Sequence, residues 1–183
     1  MQLKIDKNNY KIAKRYADAL VLIANEKNLL DNFYNDLLNV FEVYQNSSDF
    51  KSLMISPNFE KNRKKEVIKQ IFENKINDFI LNFLFVLIDS KHFDIFETIL
   101  YCYKEGIDKT KNIENVFITS SIDLKDEFKN RIQNKLKEKM KKEVRISYLK
   151  DEGILGGLII STEEKVIDLS LKKKFNKIEK ELI

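Results

Sequence analysis

Apolar positions in the first hundred residues recur every three or four places, the period of an amphipathic helix that buries one side. Ile12, Tyr16, Ala19, Leu20 and Ile23 form one such stripe, and Leu30, Phe33, Leu37, Phe41 and Tyr44 form the next. A short helix is expected from Asp49 to Ile55. Ser56-Pro57-Asn58 then interrupts the pattern, and Pro57 suits the start of the following helix, where a missing N–H loses nothing. Phe59, Arg63, Val67, Ile71 and Phe72 carry that helix. Ile76, Phe79, Ile80, Phe83, Leu84, Leu87 and Ile88 give a wide apolar face to a fifth. The sixth runs from about His92 through Phe93, Phe96, Ile99, Leu100 and Tyr103 toward Gly106. Six helices with short links predict a bundle.

Beyond residue 105 the period changes. Val116 to Ser120 is short and rich in β-formers, and Val144 to Tyr148 alternates like a half-buried strand. Between them, Leu124 to Lys142 places Phe128, Ile132, Leu136 and Met140 on one helical stripe. Residues 157–161 and 165–168 predict a hairpin joined through Thr162-Glu163-Glu164, and a last helix starts after Ser170. The expected fold is mostly α: an N-terminal six-helix bundle over residues 1–105, then a small α+β domain over residues 106–183.

Composition supports this division. The 183 residues include four Gly and one Pro, too few punctuating residues for a sheet-rich fold. All four glycines fall after residue 105, and ten of the thirteen phenylalanines fall before it. Lys plus Arg balance Asp plus Glu at 15 each up to residue 105, but stand at 18 against 14 afterwards. No apolar run is long enough to span a bilayer. The single cysteine, Cys102, rules out an internal disulfide and fits a reducing compartment.

Catalytic chemistry has no visible carrier. His92 and Cys102 are the only residues of their kinds, and nothing marks a third group to orient such a pair. One His and one Cys cannot make a zinc site of the usual kind. Gly153-Ile154-Leu155-Gly156-Gly157 resembles a phosphate loop only superficially. It lacks the Lys-Ser/Thr pair and does not lead from a strand into a helix. No cofactor or metal is therefore expected. From Lys125 to Lys142, eight Lys/Arg face three Asp/Glu. That surplus fits the solvated side of an amphipathic helix better than a nucleic-acid surface, which usually adds aromatics or a known module.

The sharpest local signal is Asp151 to Leu171. Paired glycines between an acidic loop and an apolar strand imply positive φ or close backbone approach. Further on, Asp168 or Ser170 can cap the helix that follows. Asp151, Gly156, Gly157, Asp168 and Ser170 together resemble the C-terminal signature of the delta subunit of F-type ATP synthase, the family of the mitochondrial oligomycin-sensitivity-conferring protein. Earlier motifs agree in order. Tyr16-Ala17-Asp18-Ala19-Leu20 is similar to the family's Y-A-x-A-L. Leu53 to Lys65 resembles its L-x-x-P and basic helix, with one extra residue before Pro57. Asn82-Phe83-Leu84 with Leu87 matches N-F-L-x-x-L. Two places depart: Lys91-His92 stands where the family usually has Gly-Arg, and Leu169 where a Gly is common.

The resemblance implies a non-catalytic stator subunit that ties the catalytic alpha/beta hexamer to the peripheral stalk of b subunits, so that proton-driven rotation is coupled to ATP synthesis. It implies that an alpha subunit's N-terminal helix lies between the first and fifth helices, on Tyr16, Ala19, Leu20 and Ile23 and on Phe83 and Val86. It also implies contact between the C-terminal domain and the b subunits, and a single copy per complex. Without an N-terminal extension, a bacterial protein peripheral to the cytoplasmic face of the inner membrane is expected. The residues taken without the resemblance leave open an unrelated helical scaffold or adaptor, or a nucleic-acid-binding protein using the basic helix 125–142.

Overall fold

In the computed structural model the chain is mostly helical, with a small four-stranded mixed sheet toward its C-terminus. The structure describes residues 7–162, 165–173 and 175. Two units separate between Ile107 and Asp108.

The first unit holds α1 (Lys7–Glu26), α2 (Leu30–Asn46), α3 (Ser48–Ile55), α4 (Lys61–Phe72), α5 (Asp78–Asp89) and most of α6 (Phe96–Thr110). A 3-10 turn, Phe93–Ile95, leads into α6. Helix starts are capped where sequence allows. Ser47 accepts from the Phe50 N–H at 3.2 Å and Asn77 from the Phe79 N–H at 3.0 Å, each satisfying a donor that the first turn leaves unpaired. Phe93 lies at the centre of an aromatic cluster. It stacks on Phe96 at 5.5 Å between centroids, and meets Tyr44 at 5.8 Å and Phe50 at 6.3 Å.

Three details differ from the periodicity. Pro57 lies in the turn before α4, which begins four residues later at Lys61. Here Ser56 Oγ accepts from the Asn58 N–H, and the buried Lys64 donates to the carbonyls of Met54 and Ser56 at 2.8 and 2.7 Å. That ammonium ties down the end of α3, and burial lowers its pKa. Next, α6 starts after the 3-10 turn and runs past Gly106 to Thr110. A Cβ on Gly106 would stand 2.6 Å from Val21 Cγ2, so glycine keeps α6 close to α1 here. Finally, the buried stripe of α1 is Ala13, Ala17, Leu20 and Ala24, one position off the larger apolar stripe.

In the second unit the sheet order is β2-β1-β3-β4, with β1 (Ile113–Ser120), β2 (Glu143–Lys150), β3 (Leu158–Ser161) and β4 (Val166–Asp168). β1 and β2 are parallel over their full length, from Ile113↔Glu143 to Ser120↔Lys150. Their crossover is α7 (Asp126–Met140), as parallel pairing requires. β3 is antiparallel to both β1 and β4. Val116, Ile118 and Val144 form a core against Ile132, Leu136 and Met140. Phe128, expected on the same stripe, is exposed. Asp108 is buried and receives Arg145 at 2.7 and 2.9 Å and Asn115 at 2.8 Å, so the chain entering β1 is held to its parallel neighbour. Glu163 and Glu164 of the expected hairpin lie outside the described residues, as does the last helix apart from 171–173 and 175.

Candidate interaction surfaces

Helices α1 and α5 run antiparallel: Tyr16 meets Ser90 at one end of the pair, and Lys27 lies over the Phe79 ring at the other, 4.8 Å from its centroid. Tyr16 is the joint. Its ring is edge-on to Phe83 at 6.0 Å, and its hydroxyl donates to Ser90 Oγ at 2.9 Å and lies 3.0 Å from His92 Nδ1. A cleft of about 420 Å³ lined by Ile12, Arg15, Tyr16 and His92 continues this seam.

The residues expected to receive a partner helix divide by burial. Ala19 is exposed and Val86 is 50 % exposed, while Tyr16 and Ile23 are half-buried. Leu20 and Phe83 are core residues, at 4 % and 8 % exposure, so they support the surface from below rather than form it. Leu22 (62 %) and Phe79 (42 %) add exposed apolar area on the same two helices. The sequence pattern marks neither as a contact. For Leu22 the clue is in the sequence, since it is a large apolar residue off the apolar stripe of α1, whereas Phe79 falls within the apolar face that periodicity predicts for α5.

The Asp151–Leu171 block is built around its turn. Asp151 Oδ1 accepts from the Gly153 N–H at 2.9 Å and starts a 3-10 turn, Glu152–Ile154. Three residues with positive φ follow: Leu155 (60°), Gly156 (144°) and Gly157 (84°). A Cβ on Gly157 would stand 2.5 Å from the Leu169 carbonyl oxygen, so that position admits only glycine. The Leu171 N–H donates to the Gly156 carbonyl at 3.0 Å and locks the loop to the start of the last helix. The capping residue is Ser170, whose Oγ accepts from the Lys173 N–H at 3.3 Å. Asp168 acts one step back, accepting from the Ser170 N–H at 2.9 Å.

Hydrogen bonds from the Ser170 hydroxyl and N–H hold the Asp168 carboxyl below its ordinary value of 3.8. A lowered folded-state pKa stabilises the fold above that ordinary value, and the effect is lost as pH falls through the folded value. Amide protection at Ser170 and Lys173 should therefore fall once the pH drops below 3.8, and in Asp168→Asn it should no longer depend on pH in that window. Amide exchange measured across an acid titration checks this. Equal pH dependence in both proteins would refute it.

Among the described residues, no group of three His, Cys, Asp or Glu side chains is placed to hold a metal ion. Cys102 is buried. Three of the cations between Lys125 and Lys142 are paired with carboxylates: Lys129 with Asp126, Lys137 with Glu143 and Lys142 with Glu114.

Residues 12–182 match the model of the family described as ATP synthase delta (OSCP) subunit. The chain belongs to that family. An ATP synthase subunit delta of Acetivibrio thermocellus is 34 % identical over 159 residues, covering 86 % of this chain and 89 % of that one. One from Bacillus thuringiensis strain Al Hakam is 32 % identical over 173 residues, covering 94 % and 96 %. A chain of the Toxoplasma gondii mitochondrial ATP synthase hexamer shares the fold, with a TM-score of 0.63 at 21 % identity over 93 % of this chain and 96 % of that one. Within the delta (OSCP) pattern, the two departures now separate. Lys91 adopts φ 58°, where glycine would be unstrained, so this substitution carries a left-handed backbone cost of roughly 1–2 kcal/mol. Leu169 has no positive φ and replaces the common glycine without that cost.

Proposed function

We propose that this delta-family subunit works as a non-catalytic stator connector. Its N-terminal six-helix bundle grips the catalytic alpha/beta hexamer, and its small α+β domain holds the peripheral stalk of b subunits. The hexamer then resists the torque of the rotor, and proton-driven rotation is coupled to ATP synthesis. One copy serves each complex, peripheral to the cytoplasmic face of a bacterial inner membrane. No helix among the described residues is long and apolar enough to cross a membrane, so attachment runs through the complex.

The observation that carries this reading is the unburied apolar strip along α1 and α5. A helix normally hides its apolar face, and a strip left open between two antiparallel helices suits a third helix laid into it. The occupant proposed is the amphipathic N-terminal helix of an alpha subunit. Ala19 sets how closely that helix can approach, Ile23 and Val86 meet its apolar side, and Leu20 and Phe83 support the floor.

Ala19→Trp should lower affinity for an alpha-subunit N-terminal peptide at least about tenfold, because an indole would fill the strip. Val86→Asp should do the same by leaving a buried, unpaired charge. Both positions are exposed in the free protein, so thermal stability should hardly change. Calorimetric titration of the full chain measures this. Unchanged binding in both variants would sink the proposal.

A further inference from the structure

We propose that the cleft at the α1–α5 seam is a carboxylate site, in which Arg15 and a protonated His92 hold an acidic side chain of the helix that fills the neighbouring strip, so that docking takes up a proton. This rests on the helix-in-strip reading above and gives the occupant a required chemistry.

The hydrogen bonds around Tyr16 fix which imidazole nitrogen titrates. The Ser90 hydroxyl donates to the Val86 carbonyl, so Ser90 Oγ accepts from Tyr16. The single phenolic proton is used there. The Tyr16 oxygen must then accept from His92, 3.0 Å away, which places a proton on Nδ1. Nε2 is left to gain or lose the second proton, the step that switches an imidazole's charge between about pH 5 and 8. Protonation therefore adds a positive charge without breaking the joint between α1 and the end of α5.

That charge would stand beside another. The cleft is lined by Ile12, Arg15, Tyr16 and His92. Arg15 is exposed and has no carboxylate partner among the described residues. Its neighbour Lys14 is paired with Asp18. The charged residues nearest His92 in sequence are turned elsewhere. Asp89 pairs with Lys65 of α4, and Lys91 and Asp94 line a separate cavity with Lys64. The groups that face the ring are thus Arg15 and Tyr16 from α1 and the Ser90 hydroxyl from the end of α5. None of them is an acid, so the cleft offers two cationic positions and no counter-charge.

A carboxylate answers both. Arg15, Ala19 and Leu22 follow at spacings of four and three along one row of α1, so the cleft continues the open strip. A helix lying in the strip can reach the cleft with an Asp or Glu one turn beyond its apolar contacts. That carboxylate stays ionised down to about pH 4 and favours the protonated ring. Binding therefore takes up a proton and tightens as pH falls through the imidazole range.

The test titrates the full-length chain with a synthetic peptide spanning the N-terminal helix of the alpha subunit from the same organism. Calorimetry at about pH 5.5 and about pH 8, in buffers of different ionisation enthalpy, reads affinity and proton uptake together. The parent protein should bind about three- to tenfold more tightly at the lower pH, with net proton uptake. His92→Gln should bind weakly at both pH values without proton uptake, and His92→Arg tightly at both, again without uptake. Arg15→Gln should lose affinity at both pH values yet keep the dependence. The same peptide with Asp and Glu replaced by Asn and Gln should lose the dependence on the parent protein, a result that needs no variant to fold. Equal affinity at both pH values with no proton uptake would overturn the carboxylate site and leave the alpha-subunit contact standing. A pH dependence that survives in His92→Gln would overturn it equally. If the parent binds the peptide at neither pH, the alpha-subunit contact falls and this site with it.

Discussion

Phe93→Ala should cost about 3–5 kcal/mol of stability, the usual range for removing a fully buried aromatic. Phe93 is 2 % exposed and contacts three other rings, Tyr44, Phe50 and Phe96. These belong to α2, α3 and α6, so one cavity would weaken several interhelical joints together. A domain's net stability is only about 5–15 kcal/mol, so the first unit should be close to unfolding. The effect should also reach the proposed alpha-subunit strip. Phe93 follows His92 directly, and His92 lies 3.0 Å from the Tyr16 hydroxyl that joins α1 to the end of α5. Urea denaturation followed by circular dichroism measures the loss. Phe93→Leu, which fills most of the space, should lose clearly less. A loss for Phe93→Ala below about 1 kcal/mol would show that the cluster can collapse around the gap.

Gly157→Val should be nearly as damaging, for a different reason. The position has φ 84°, and a Cβ would approach the Leu169 carbonyl oxygen to 2.5 Å and Ser170 Cα to 3.0 Å. Neither neighbour is a side chain that can rotate away. A β-branched residue adds backbone strain of order 1–3 kcal/mol to the displacement of the β4 end, so a total near 3 kcal/mol or more is expected. Gly153 provides the contrast within the same block. It has no positive φ, and a Cβ there would meet only the Asp151 carboxylate at 3.1 Å. Gly153→Ala should therefore stay within about 1 kcal/mol of the parent. Amide exchange over β1, β3 and β4 should separate the two variants, with protection lost across these strands only in Gly157→Val. Equal protection in both would refute the assignment of the turn to Gly157.

The sequence by itself determined most of the element inventory and the order of the helices and strands. Helix period and strand alternation are local properties, written into every few residues by the need to bury one side. It also determined that the glycines of the Asp151–Leu171 block serve a turn. A phosphate loop needs a Lys-Ser/Thr pair that is absent, and the turn needs only backbone freedom. Capping remained a choice between Asp168 and Ser170, because either side chain can accept from a first-turn N–H. The structure gives that role to Ser170.

Only the tertiary structure decided which apolar face is inside. Helix α1 has two, and periodicity cannot rank them. The smaller one, Ala13, Ala17, Leu20 and Ala24, is buried because alanines allow close helix packing. The larger one, Ile12, Tyr16, Ala19 and Ile23, is left half-covered or open. The same limit applies to Pro57, to the length of α6 beyond Gly106 and to the exposure of Phe128. In each case a contact distant in sequence, or its absence, overrode a sound local preference. The open strip on α1 and α5 exists only as a relation between separate elements. A pattern along one element can propose such surfaces, but whether another element covers them depends on the three-dimensional arrangement.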